Sequence, residues 1–514
     1  MKQLLKYLLC ALCAAMFMGV SAFAQITTSA LGGKVVDKAG EPVIGAAVVA
    51  THEPSGTVYG VVTNEDGRYV INGMRSGGPY KVEISCLGYQ TVINTDITLQ
   101  LGEPYALNSA LNDDSEMLSE AMVVAQAASR FAGEKTGAAT NISSKQMDAL
   151  PNISRSLEDV SKLSPYGGNG MNFAGGDGRS SNFTVDGANF NNNFGLNEGL
   201  PGGGNPISID AIEEMQVVIA PYDVRQTNFI GGGMNAITKS GTNQFKGSAY
   251  TYHKNEWMRG NTNYLGEEFG NRNKERMTTY GFTLGGPIIK NKLFFFVNFE
   301  RSQSPTEVNL WRASVDGVAD ADHYISRTTE ADMEAVKTHL MDNYGYDAGS
   351  YTDYPAQETN TKVLARIDWN INDNHHLAVR YNYTLNQSWT ATNRSSGNMV
   401  RRASGDRLSQ YGMAFANSIY STDNLVHSFA FDLNSRFSNN LSNQLLVTFS
   451  KLDDVRGSSS DKFPFIDILH AGDYAAGKIM PYISAGYELF TWNNGVHNNV
   501  LNIKDDITYF TGNH

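Results

Sequence analysis

From Phe245 onward, apolar side chains recur at every second position, the period of a β-strand with two unlike faces. Within 362–371, Val363, Ala365, Ile367, Trp369 and Ile371 share one face, while Leu364, Arg366, Asp368 and Asn370 share the other. The next run repeats this, with Leu377, Val379, Tyr381, Tyr383 and Leu385 set against Ala378, Arg380, Asn382 and Thr384. Phe429, Phe431 and Leu433 extend the apolar face, as do Leu445, Val447 and Phe449. Leu501, Ile503, Ile507 and Tyr509 close the series, interrupted by Asp505. An arginine turned toward lipid costs about 2–4 kcal/mol at the bilayer midplane, so the polar face is predicted to line an interior. Leu293 to Arg301 differs, because Phe294 and Phe296 make its start apolar on both faces. That predicts a strand covered from within.

The connections between these runs alternate in length. Short turns fall at Lys290-Asn-Lys292, Asn372-Asp-Asn374 and Ser438-Asn-Asn440, and long loops at about 304–360, 388–424 and 455–498. Short turns on the periplasmic side and long loops on the outer side are the pattern of an outer-membrane barrel. The first long loop holds a predicted helix, Ala331 to Leu340, and loops of this kind are where a ligand first meets a protein. His375 and His376 flank a short turn and read as turn surface rather than a metal site.

Upstream the pattern changes twice. Residues 28 to about 112 are short alternating runs divided by turn chemistry at Asp37-Lys-Ala-Gly40, Pro54-Ser-Gly56, Asn64-Glu-Asp-Gly67, Ser76-Gly-Gly78 and Leu87-Gly88. Such spacing predicts a small β-sandwich. Asn64, Asp66 and Gly67 lack the 12-residue calcium-loop spacing and its final Glu, so a plain hairpin turn is the favoured reading. Residues 130–244 are rich in Gly and Asn, with short helices predicted at Ser154 to Leu163 and Ser208 to Glu214.

The N-terminus and the charge narrow the class. Lys2 and Lys6, the apolar run Leu8 to Val20 and the small-x-small site Ala22-Phe-Ala24 make a secretory leader, cleaved after Ala24. Gln25, not Cys, follows the site, which argues against a lipid anchor. Loss of Lys2 and Lys6 with no acid moves the net charge from −12 to −14, an acidic balance that argues against nucleic acid as a partner. Cys10 and Cys13 leave with the leader, so Cys86 has no partner for an intrachain disulfide. No other stretch reaches 18 apolar residues, so any membrane crossing falls to strands. The 24 Phe, 25 Tyr and 50 Gly suit a barrel better than a soluble enzyme.

Three stretches carry resemblances. Gly33 to Val48, followed by Thr63-Asn-Glu-Asp-Gly-Arg-Tyr69, resembles the carboxypeptidase regulatory-like domain. No His-Glu-x-x-His accompanies it, so the likeness is to a non-catalytic appendage. Leu118 to Ala125, and within it Glu120, Ala121, Met122, Val123 and Val124, resembles the TonB box. Such an extended segment can add a strand to a partner's sheet, and an ordinary strand docked on the first domain is the plainer alternative. Arg179 to Phe194, with Asp186 and Gly187, and the run from Gly231, Gly232 and Gly233 to Asn243 resemble the plug of TonB-dependent receptors. Gly231 to Gly233 lack a following Gly-Lys-Ser/Thr, so they are not a phosphate loop, and are expected to let backbone approach a barrel wall. Asn191 to Asn193 read as polar plug surface.

Taken together, the order resembles TonB-dependent outer-membrane receptors of Bacteroidota, closest to the Oar-like group. The fold class is mainly β: a small N-terminal β-sandwich, an α+β plug domain and the first part, about eight strands, of a large transmembrane antiparallel β-barrel. The segments are 1–24 leader, 25–112 sandwich, 113–129 linker, 130–244 plug and 245–514 incomplete barrel. Barrels that hold a plug have about 22 strands, so a C-terminally truncated fragment is expected. The resemblance implies an exported outer-membrane receptor for active ligand uptake, with no enzymatic activity and no cofactor. Its partners would be a TonB-type energy-transducing complex of the inner membrane, outer-membrane lipid and an unknown extracellular ligand. The alternative is a cell-surface binding or adhesion protein without transport, which would have no need of residues 130–244 as a gate.

Overall fold

A computed structural model describes residues 26–113, 122–125, 138–150, 155–168, 170–191, 200, 206–219, 226, 230–258, 260–268, 276–352, 354–393, 407–477 and 480–511. The predicted leader, and Glu120 and Ala121 of the TonB-box-like motif, lie outside these residues. Among the described residues, no helix is long and apolar enough to cross a membrane.

The first unit is a two-layer sandwich. Its strands are β1 (Ser29–Asp37), β2 (Ala47–His52), β3 (Thr57–Val62), β4 (Arg68–Met74), β5 (Gly77–Ser85), β6 (Val92–Leu99), β7 (Pro104–Ala106) and β8 (Ser109–Leu111), with β9 (Met122–Ala125) after the linker. One sheet has the order β4-β1-β7, with β8 also on β1, and the other β3-β2-β5-β6-β9. Alternate residues turn inward, so Leu31, Val48, Tyr69, Tyr80, Val82 and Ile84 form a shared core. The Asn64 side chain accepts the Asp66 and Arg68 N–H groups at 3.0 and 2.8 Å, which makes 64–67 the hairpin turn the sequence favoured.

The second unit is a five-stranded mixed sheet in the order β10-β13-β14-β11-β12. Its strands are β10 (Ala139–Ser143), β11 (Asn182–Val185), β12 (Ala188–Asn189), β13 (Ile212–Val218) and β14 (Gly233–Thr238). A short helix, Leu157–Ser161, begins at the N-cap Ser156, which is shorter than the predicted 154–163. The helix Ser144–Ala149 was not foreseen. The predicted helix over 208–214 is corrected: a single 3-10 turn, Ile209–Ala211, leads straight into β13. That segment is flanked on both sides, Met215 opposite Ile142 and Ala236, and pairing with two neighbours outweighs its acidic, helix-like start.

Eight long strands form the third unit, one antiparallel sheet. They are β15 (Lys246–Asn255), β16 (Arg276–Ile289), β17 (Leu293–Glu307), β20 (Pro355–Asn372), β21 (His375–Thr390), β23 (Tyr420–Arg436), β24 (Leu441–Ser458) and β27 (Gly495–Tyr509). Between them lie the loop strands β18 (Arg312–Ser314), β19 (Ile325–Thr329), β22 (Met413–Ala414), β25 (Ile466–Leu469) and β26 (Pro481–Ala485). The sheet is open, with β15 and β27 at its edges. The three short turns fall where expected, but the strands run further into the long loops, β17 to Glu307 and β20 from Pro355. Those loops gather at one end around Met333, Leu340, Phe415 and Ile483. The foreseen helix is there, longer, as Glu330–Tyr344, capped by the Thr329 hydroxyl and ended by Gly345 at φ 60°.

The two faces of the sheet separate as the alternation demands. Ile367, Trp369, Phe429, Phe449, Leu501 and Ile503 are exposed on the outer face, while Leu364, Asp368, Arg380, Asn382 and Thr384 are buried on the inner one. The inner face is covered by the second unit: Phe296, Leu364, Val426 and Leu452 share a core with Phe183, Val185, Phe190 and Met215. The sandwich sits at the short-turn end. There the Asn243 N–H donates to Pro54 O at 2.8 Å, Asn370 Nδ2 to Thr57 Oγ1 at 2.9 Å, and the Tyr59 and His376 rings lie 4.8 Å apart. His376 is therefore an interface residue and not the free turn surface expected of it.

Candidate functional site

The densest chemistry lies where the second unit meets the wall. Asp186 and Gly187 are the two-residue loop of the β11–β12 hairpin, with φ 45° and 76°. Left-handed backbone at both loop positions is what a type I′ turn requires, and Asp-Gly is the dipeptide that supplies it. The turn presents the Asp186 carboxylate to the inner face of the sheet. It accepts from Thr238 N and Oγ1 at 2.9 and 2.7 Å, and meets Arg380 Nε at 3.2 Å and Arg366 Nη1 at 3.4 Å. Arg380 is 2% exposed, and its Nη2 donates to Ser428 Oγ at 3.1 Å.

The charges continue as a chain. Arg366 forks onto Asp368, with Nη2 2.8 Å from Oδ1. Asp368 also receives Arg75 Nη2 of the sandwich at 3.0 Å, and Arg75 Nη1 donates to Ser240 Oγ at 2.7 Å. A cavity of about 410 Å³ opens among these groups, bounded by Arg75, Asp186, Arg366, Arg380 and Asp432. Buried ions of this kind are held because each is paired, and removal of one partner typically costs about 3–5 kcal/mol.

A second knot lies further along the same wall strands, where Glu300 pairs with Lys362 as Phe296 pairs with Arg366. Arg155 meets Asp210 of its own unit and Glu300 of β17, the latter at 3.0 Å. Glu300 also takes Lys362 Nζ at 2.8 Å and the hydroxyls of Ser208 and Tyr250, each at 2.9 Å. Burial disfavours the charge on Arg155, but Glu300 and Asp210 outweigh it and its pKa is raised. Its guanidinium lies over the Tyr250 and Tyr252 rings, 4.9 and 4.5 Å from their centroids.

A third contact clips the sandwich to the plug-like sheet. Leu101, just past β6, donates its N–H to both Glu214 oxygens at 3.1 and 3.0 Å, and Asn141 Nδ2 reaches Glu214 at 2.8 Å. The Leu101 carbonyl accepts from Gln216 Nε2 at 2.7 Å, while Ile26, Leu101 and Ile237 form a small apolar cluster beside it. Burial pushes the Glu214 carboxyl up to about 7, against the hydrogen bonds from Leu101 and Asn141 that favour its charge.

The sequence-predicted residues divide. Asp186 and Gly187 stand at the centre of the interface. Arg179 is half-exposed and pairs with Asp177 at 2.8 Å. A Cβ on Gly232 would lie 2.7 Å from Phe173 Cβ, so this glycine admits a neighbour from its own unit rather than the wall. The glycine that does meet the wall is Gly241, whose Cβ would fall 2.4 Å from Phe295 O. Asn191 serves the hairpin, accepting the Phe183 N–H at 2.7 Å, and Asn192 and Asn193 lie outside the described residues. Met122, Val123 and Val124 form most of β9, parallel to β6. Arg155, Glu300 and Glu214 were missed as site residues, although the alternation had already turned Arg366 and Arg380 inward. Among the described residues no His, Cys, Asp and Glu group could hold a metal.

Comparison with known proteins finds two family matches and a set of related receptors. Residues 30–112 match the carboxypeptidase regulatory-like domain, and 237–322 with 323–514 match an outer membrane beta barrel domain. The TonB-dependent transporter Oar of Myxococcus xanthus is 25% identical over 392 residues, 72% of this chain and 34% of its own length. The TonB-dependent receptor SusC of Bacteroides thetaiotaomicron is 27% identical over 251 residues, 45% of this chain and 23% of its own. The chain thus spans about a third or less of the length of these curated relatives. Among solved structures, the outer membrane transporter YddB of Escherichia coli is similar at 13% identity, with TM-score 0.46 over 73% of this chain and 46% of that one. These relatives are receptors and transporters rather than enzymes. The chain belongs to the outer membrane beta barrel domain family and is a relative of the TonB-dependent receptors.

Proposed function

We propose that this protein is a TonB-dependent outer-membrane receptor that takes up a ligand actively, with 130–244 as the plug, 245–514 as wall, 25–112 as a regulatory-like appendage and 1–24 as a cleaved leader. The observation that carries the reading is the seat of the plug. A folded sheet fills the inner face of the barrel strands and is held there by paired buried charges at Asp186 and Arg155, not by apolar contact alone. A filler meant to be permanent would be served as well by apolar packing, whereas a polar seat can be rehydrated when the plug moves. The ligand would meet the ordered loop cluster around the helix Glu330–Tyr344 at the end opposite the sandwich. The linker around Glu120 to Val124 would then reach an energised inner-membrane complex, whose pull rearranges the plug.

Deletion of 118–125 tests this directly. With candidate siderophores, oligosaccharides, peptides and proteins as ligands, the expected result is lost uptake with surface binding intact. Loss of both would remove the coupling role from the segment.

A further inference from the structure

The TonB-box-like segment already has a partner within the chain. Met122 to Ala125 lies parallel to β6 in continuous register, Val92 opposite Met122, Ile93 opposite Val123, Asn94 opposite Val124 and Thr95 opposite Ala125. It is the last strand of the five-stranded sheet of the sandwich. Backbone groups that such a segment would offer to another protein's sheet are here turned to β6. The added strand is four residues long and has a neighbour on one side, so it is the most readily detached member of its sheet.

The strand that holds it also holds the plug. β6 runs from Val92 to Leu99, and its first four residues pair with β9. Two residues beyond its other end, Leu101 is clipped by its N–H to Glu214 of β13 and by its carbonyl to Gln216 of the same strand. The plug strand β10, which the chain reaches after β9, joins the same clip through Asn141. The sandwich is further seated against the wall by Arg75 on Asp368 and by Thr27, whose hydroxyl donates to Asp432 at 2.6 Å.

We propose that the regulatory-like sandwich keeps 122–125 parked on β6, so that a TonB-type partner captures the segment only by stripping it from this sheet, and that the loss loosens the Leu101 clip on the plug. This rests on the TonB-box reading of the segment and adds the site that competes for it. The sandwich then acts as a guard on energy coupling: while β9 is in place, the segment is withheld and the plug is clipped.

A reversible crosslink tests it in the whole protein. In a Cys86→Ser background, Thr95→Cys and Ala125→Cys face each other across adjacent strands about 4.8 Å apart, within disulfide reach. Asp66→Cys with Ala125→Cys is the out-of-register control. The purified periplasmic domain of a TonB-type protein is the probe. The parked state predicts a disulfide in the 95/125 pair and none in the control. It also predicts at least tenfold weaker probe binding when oxidised, restored by reductant, and faster exchange of the Leu101 amide when the probe binds the reduced protein. No 95/125 disulfide would overturn the parking. Equal probe binding by oxidised and reduced protein would overturn the competition, since the partner would then be adding to the outer edge of β9. Failure of the reduced protein to bind, with the disulfide formed, would instead overturn the TonB-box reading while leaving the strand in its place.

Discussion

Replacing Asp186 by Ala should release the second unit, the proposed plug, from its seat by a calculable amount. The carboxylate is 8% exposed and faces Arg380, which is 2% exposed. Its removal strands a buried guanidinium, a loss of about 3–5 kcal/mol for a broken buried pair. Thr238 also loses the acceptor for its N–H and hydroxyl, so the upper part of that range is expected. The assay is amide exchange in the detergent-solubilised protein, which reports local opening separately for each unit. Amides of β11 and β14 should exchange roughly 10²–10⁴-fold faster, while those of β2 and β5 in the sandwich should not change. The decisive variant is the double substitution Asp186→Ala with Arg380→Met, which removes both charges. If the cost comes from the stranded arginine, the double variant is more protected than the single one, by a coupling of about 1–3 kcal/mol. A double variant as open as Asp186→Ala, or more so, would refute the electrostatic account of the seat and leave only the lost hairpin contacts.

Three further outcomes follow from the same geometry. Glu214 has its pKa raised to about 7 in the docked state against a usual 4.5, so the docked form binds the extra proton between those values. Docking of the sandwich turn therefore weakens as pH rises through 4.5 to 7, by about 3 kcal/mol in all, and stays at its weakest above pH 7. Exchange at the Leu101 amide followed from pH 5 to 8, after correction for intrinsic rate, should show this loss, and Glu214→Gln should flatten it. Gly241→Ala places a Cβ 2.4 Å from Phe295 O and 2.7 Å from Gly286 O, both backbone, so the yield of folded, heat-modifiable protein should fall. Gly260→Ala, with only Thr262 O at 4.0 Å, should leave that yield unchanged. Phe429→Arg, on the outer face at 49% exposure, should cost about 2–4 kcal/mol on refolding into lipid vesicles, and a neutral effect would mean that this face does not meet lipid.

How much of this was legible in the sequence depended on range. The wall was legible because period two is a local signal: Val363 to Ile371 against Leu364 to Asn370 already states which face is wet, and the short turns state the register. Asp186-Gly187 was legible as a turn for the same reason. The pairs that turn the site into chemistry were not, because Asp186 finds Arg366 and Arg380 only once the second unit has packed on the inner face of the sheet. Asp210 and Glu213 misled the reading of 208–214, since acids after Ser208 look like the first turn of a helix. In the fold Asp210 lies in a single 3-10 turn and Glu213 in β13, and the neighbouring Glu214 is buried to hold a backbone amide of another unit.

The linker shows the remaining limit most clearly. From its residues, Met122 to Ala125 could serve as a free motif or as a strand docked on the first domain. The register with β6 means the second reading holds, and it does not remove the first, because one backbone can serve two sheets in turn. A segment with a single, permanent partner could be replaced by any good strand former. A segment that must leave β6 for a foreign sheet needs two acceptable neighbours and a weak hold on both, and four residues at a sheet edge satisfy that condition. The short length of β9, which made the motif hard to read, is therefore what would allow it to switch.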